Sequence, residues 1–134
     1  MNELKTISQV NGLKETLEGK AAKVSLVSKS GSSVTQQIAS NTIYNCGELT
    51  ALTVTLPSTL EIDYISQINF TSGSTATQLT APATIVWDGD SIDTNGLFVP
   101  EANMRYTVML YSDGSNILGI VRGTAIPTTQ NNNE

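Results

Sequence analysis

The sequence predicts a mainly β protein: an antiparallel β-sandwich or jelly-roll-like domain preceded by a short N-terminal helix. Three observations carry that expectation. From about residue 22 to 125, short runs alternate apolar and polar residues with the two-residue period of a half-buried strand. Turn signals separate the runs at roughly 8–12-residue spacing, with no helical stretch between them. Only 14% of the chain is charged, against roughly a quarter in ordinary domains, and Thr, Ser and Asn take up the difference.

The elements follow in order. Residues 1–21, MNELKTISQVNGLKETLEGKA, hold the one stretch with helix chemistry. Ile7, Val10 and Leu17, with Leu13 beside them, form a narrow apolar stripe at helical spacing. Asn11 is placed to cap a helix beginning near Gly12, and Gly19 to end it. So short a helix is unstable alone in water, so its stripe must be buried. Two surfaces are open to it: the chain's own β domain, or the same segment of neighbouring chains. These 21 residues are read as an oligomerisation or anchor segment, 22–125 as the β domain, and 126–134 (IPTTQNNNE) as a flexible polar tail.

Within the β domain, Val24 and Leu26 alternate with polar neighbours. So do Leu52, Val54 and Leu56, then Tyr64, Ile68 and Phe70, then Met104, Tyr106, Val108 and Leu110. Ile117 to Arg122 follows, with Gly119 leaving room for a close neighbour. Pro57, Pro82 and Pro100 stand at the ends of runs, where a missing backbone donor does least harm. Asp113-Gly114 is the strongest turn signal and joins the two best strands into a hairpin. Gly89 and Gly96 mark further turns. No long internal repeat is visible.

Composition removes several functions. A chain of 134 residues is one domain's worth of sequence. A net charge of −5 with no Lys/Arg cluster argues against nucleic acid and anionic membrane surfaces. No apolar run approaches the ~20 residues needed to span a bilayer, and no secretory leader is expected. There is no histidine, which removes Ser-His-Asp and Cys-His chemistry and nearly every zinc or non-haem iron site. The single Cys46 allows neither an internal disulfide nor a CxxC motif, and reads as a small buried side chain. No phosphate-cradling Gly-rich loop is present. No catalytic residue, cofactor or metal is therefore assigned, and the chain is expected not to be an enzyme.

Paired carboxylates are what remains of catalytic chemistry. Glu61 and Asp63 flank Ile62, and Asp88, Asp90 and Asp93 lie in WDGDSID. A glycosidase needs two carboxylates about 5–10 Å apart around a cleft. Asp beside Gly and Ser is, however, what turns are built from, because the carboxylate accepts local backbone N–H bonds. The Asp88–Asp93 spacing lacks the closing Glu of an EF-hand loop, and any ion there would only stiffen it. Trp87 ends an apolar run and reads as core, whereas Tyr111 faces opposite to Met104 and Val108.

The segment ISQVNGLKETLEGKAA resembles a recurrent element of phage tail fibres, through Ile7, Val10, Gly12-Leu13, Leu17, Gly19-Lys20 and Ala21. Residues 50–123 are similar to small β modules of phage fibre and head-fibre proteins. The stretches that carry this likeness are TVTLP, YISQINFTSG, Trp87-Asp88-Gly89-Asp90, Phe98-Val99-Pro100 and RYTVMLYSDGSNILGIVRG. The resemblance implies a homotrimer with Ile7, Val10, Leu13 and Leu17 at a three-fold seam. It also implies other virion proteins, of capsid or tail, as partners, and location on a virion assembled in the host cytoplasm. The expected function is that of a head fibre or capsid decoration protein with an outward β knob, since the chain has no room for the long N-terminal docking region usual in tail fibres. The alternative is a tail-fibre receptor-binding module that recognises host surface glycan through the 88–98 and 112–116 loops.

Overall fold

A computed structural model describes residues 24–59 and 62–127. The expected N-terminal helix, with Ile7, Val10, Leu13 and Leu17, and most of the polar tail lie outside the described residues. Nine strands are present among the described residues: β1 (Ser25–Ser28), β2 (Ser33–Gln37), β3 (Thr42–Glu48), β4 (Ala51–Thr55), β5 (Ile62–Ser72), β6 (Gln78–Thr80), β7 (Ile85–Gly89), β8 (Met104–Asp113) and β9 (Ile117–Ala125). They form a six-stranded sheet ordered β1-β3-β5-β8-β9-β7 and a three-stranded sheet ordered β2-β4-β6.

Two sheets around one core agree with the sandwich expectation, but the strand direction does not. Odd strands β1, β3 and β5 enter the large sheet and even strands β2, β4 and β6 the small one, so the chain winds around the core, adding one parallel strand to each sheet per turn. This is the winding of a short parallel β-solenoid. The antiparallel order expected from the sequence is confined to β5–β8 and β8–β9, while β7 is again parallel to β9. The physical reason is that a parallel pair needs a connection of a dozen or more residues. Here the strand in the opposite sheet supplies it, in place of a crossover helix.

The winding stacks like residues into ladders. On the small sheet Val34, Leu52 and Leu79 pair inward in register, and Thr35, Thr53 and Thr80 pair outward. On the large sheet Val27, Tyr44, Ile68, Val108 and Val121 run across five strands facing inward. Residues of both sheets join in one core with the ring group Phe70, Trp87, Phe98 and Tyr106. In that group Phe98 meets Tyr106 edge-on at 5.1 Å and Trp87 at 5.3 Å, within the favoured range for aromatic pairs.

Gly119 stands where Trp87 crosses its strand. An added Cβ would meet the indole at 2.5 Å, so the expected close neighbour is Trp87. The buried hydroxyls are satisfied locally: Thr77 Oγ1 donates to the Leu49 carbonyl at 2.6 Å, and Ser72 Oγ accepts from the Thr77 N–H at 2.9 Å. Cys46 is a free thiol, half-buried against the core. Burial pushes it up from its ordinary value, with Lys29 opposing.

Candidate interaction surface

The outer face of the large sheet has two chemically distinct halves, and strand register defines both. Ile65, Tyr111 and Leu118 pair across β5, β8 and β9 and continue to Val86 on β7. The next row runs Leu26, Ile43, Gln67, Met109, Ile120 and Asp88 across all six strands. Val24, immediately before β1, adjoins them and lines a hollow with Ile43, Ile65 and Gln67. These side chains are open to solvent: Leu26 is 69% exposed, Val24 55%, Val86 54% and Met109 41%. Single exposed apolar residues are ordinary, whereas a contiguous band marks an interaction site.

The rows beyond the band are polar. Ser28, Asn45, Asn69, Thr107 and Arg122 pair across five strands. Asn69 Nδ2 donates to Asn45 Oδ1 at 2.8 Å, and Gln67 Nε2 to Asn69 Oδ1 at 2.9 Å. Side-chain amides there satisfy one another along the sheet and leave a hydrated surface.

The run at residues 24–26 departs from the expected direction. Alternation there marks the outward face, and Val27 between Leu26 and Ser28 is the residue that packs against the core. Tyr111 does face opposite to Val108, and Trp87 is core, as its apolar run indicates.

Asp90, Asp93, Glu101 and Asp113 bond within loops and turns, whereas Asp88 lies exposed on β7. Asp93 Oδ1 accepts the N–H groups of Asn95 and Leu97 at 2.8 and 2.9 Å. Asp90 Oδ2 accepts the Gly123 N–H at 2.9 Å, tying the loop after β7 to β9. Glu101 accepts from the Ser91 hydroxyl at 2.7 Å, and Ser91, held at φ 61°, also bonds Tyr106 Oη. Asp113 Oδ1 accepts the N–H groups of Asn116 and Ser115, which hold its carboxyl below the ordinary value. Among the described residues no group of three or more His, Cys, Asp or Glu side chains is arranged to hold a metal ion. Glu61 lies outside the described residues, and its neighbour Asp63 belongs to β5.

The two loops expected to share a sugar site are separated. The 113–116 turn joins β8 to β9 at the Ile117 end, whereas Asp90 bonds to Gly123 near the other end of β9. At about 3.3 Å per residue, these ends lie roughly 20 Å apart along the strand.

Compared with protein-family models, curated proteins and solved structures, the chain matches none. The band across the large sheet is therefore read on its own chemistry. Strand alternation alone locates its residues; their convergence on one face follows from the register between strands, parallel at β1–β3–β5 and β9–β7 and antiparallel at β5–β8–β9, which has no mark in the local sequence.

Proposed function

We propose that this chain is a structural protein of a bacteriophage particle, a homotrimeric head fibre or capsid decoration protein whose β domain forms an outward knob. The reading starts from the resemblance of residues 7–21 and 50–123 to phage fibre and head-fibre proteins. The observation that carries it further is the exposed apolar band on the large sheet, at the end where the chain enters from residue 23. A surface of that kind suits assembly with a protein neighbour and is poorly suited to free solution. Of the carboxylates a hydrolase would use, Asp90 and Asp93 are engaged in loop and turn bonds, which favours binding and assembly over catalysis.

The test has two parts. Light scattering after gel filtration should return three times the 14.2 kDa subunit mass, and a mass of one subunit at micromolar concentration sinks the trimer. Immunogold electron microscopy of purified particles should then place the chain on the capsid; absence of label from the virion rejects the structural role.

A second reading, receptor binding as a tail-fibre module, is favoured by the open hollow at the end of the sheet remote from Val24, lined by Ser91, Ile92, Asp93, Val99 and Glu101. Its polar groups suit a sugar, but the nearest rings, Trp87, Phe98 and Tyr106, are buried and offer no exposed stacking platform. Binding to a host-surface glycan that is lost in Ser91→Ala and Glu101→Gln variants is the result this reading requires.

A further inference from the structure

We infer that Asn95 is a site of spontaneous deamidation that the Asp93 turn keeps closed, so that its amide becomes a carboxylate only from an opened loop tip. The inference does not depend on where the chain acts or on its oligomeric mass.

The sequence places Asn95 directly before Gly96 in DTNGLF. Asn is a thermally labile residue, and its amide is lost through attack by the peptide nitrogen that follows it. Gly96 carries no Cβ to crowd that nitrogen, and the space where a Cβ would stand is open. Residues 93–97 are all exposed, so water reaches the site. Asn11-Gly12 is the other Asn-Gly pair of the chain and lies outside the described residues.

In the reaction the Gly96 nitrogen bonds to Asn95 Cγ, the Cγ–Nδ2 bond breaks, and the proton lost from Gly96 leaves with Nδ2 as ammonia. The product is a cyclic imide, which water opens. Water adding at Cγ restores the ordinary peptide and gives Asp. Water adding at the main-chain carbonyl leaves Gly96 joined through Cγ and gives isoaspartate. The sum is amide plus water to acid plus ammonia, with no oxidant or reductant.

The folded tip opposes the first step. The Gly96 N–H donates to the Asp93 carbonyl at 3.0 Å. The Asn95 and Leu97 N–H groups donate to Asp93 Oδ1 at 2.8 and 2.9 Å, and the Asp93 N–H donates to the Leu97 carbonyl at 2.8 Å. The attacking nitrogen is therefore held toward Asp93, and the peptide units on either side cannot turn without breaking these bonds. Below the tip the loop is pinned. Ile92 bridges Phe98, the Val99 N–H donates to the Ser91 carbonyl at 2.9 Å, and buried Phe98 packs on Trp87 and Tyr106. The tip can thus open by itself while the ring group stays in place. Isoaspartate adds one main-chain carbon between the Asn95 and Leu97 N–H groups, so the two no longer match one carboxylate oxygen and the tip does not reclose as before.

The experiment follows conversion at Asn95 in the full-length chain at neutral pH, by peptide mapping with fragmentation mass spectrometry that separates residue 95 from residue 11. Conversion in the folded chain is expected to be at least about tenfold slower than in the same chain in urea, as for a tip whose opening costs at least about 1.4 kcal/mol. Asp93→Ala removes two bonds to a charged acceptor and should raise the folded rate at least about tenfold. Asp93→Asn keeps an oxygen acceptor and should stay slow. If the Ala variant does not fold, amide hydrogen exchange of the wild-type chain decides, with Gly96 and Leu97 expected to be protected. Conversion of the folded chain at the urea rate, exchange of Gly96 and Leu97 at the free rate, or a folded Asp93→Ala variant as slow as wild type each overturns the lock. No conversion at Asn95 in urea overturns the site itself.

Discussion

Several single residues fill roles that their neighbours cannot share. Trp87 lies across β9 only because Gly119 has no side chain, and Gly89, at φ 115°, ends β7 with its α-carbon against the Val121 carbonyl. Tyr106 carries an aromatic ring into the core while its hydroxyl accepts the Glu101 N–H at 2.8 Å, which ties the long loop down. Asp113 holds the hairpin turn with an ionised carboxylate. Because its folded value is depressed by the Asn116 and Ser115 N–H groups, its contribution is fully present above the unfolded value of about 3.9. It is lost as pH falls through the lower folded value. NMR titration should find the Asp113 midpoint below the ordinary range, and Asp113→Asn should remove that part of the acid dependence; an ordinary midpoint rules the turn bonds out as its cause.

At the scale of elements, the parallel coils are held by ladders and not by individual turns. Leu52 is 1% exposed and sits between Val34 and Leu79 in the small sheet. Its truncation removes packing from two neighbouring coils at once. Leu52→Ala is expected to cost about 2–5 kcal/mol in urea unfolding, the range for a buried Leu whose site cannot collapse. Thr53→Ala, one residue along and outward-facing, is expected to stay within about 0.5 kcal/mol. Equal effects of the two would mean that the small sheet is not a core-facing layer. The edge strands also differ. β6 has 3 residues, too short to template another chain. β1 and β7 flank the large sheet and carry the exposed Leu26 and Val86.

For the molecule as a whole, the decisive property is that one hydrophobic cluster draws on both sheets and on the C-terminal hairpin. Coils of a solenoid can unfold piecemeal when each contacts only its neighbours. Here Phe70, Trp87, Phe98 and Tyr106 join β5, β7, β8 and the long loop in one ring group, and Ile38, Leu49 and Leu52 belong to the same core. Urea transitions followed by Trp87 fluorescence and by far-ultraviolet circular dichroism should therefore share one midpoint. A fluorescence change clearly separated from the loss of strand signal would show that the coils and the hairpin are independent units.

Much of this was legible locally. Alternation located the cores of β4, β5, β8 and β9, Asp113-Gly114 located the hairpin of β8 and β9, and Gly119 signalled a close neighbour. Those features depend on residues within a few positions of one another, which is what periodicity and turn chemistry report. The winding was not legible. Ser25 pairs with Thr42 and Thr42 with Ser66, steps of 17 and then 24 positions, so the coils leave no fixed repeat. A strand with one face to the core and one to water alternates in the same way whether its partner runs parallel or antiparallel. The sequence by itself determined the cores of β4, β5, β8 and β9, the turn that joins the last two, and that histidine and paired cysteine chemistry is absent. Only the tertiary structure decided that Leu26, Met109 and Ile120 share an open face, because that depends on register between strands far apart in the chain, and register is set by the packing of the whole core.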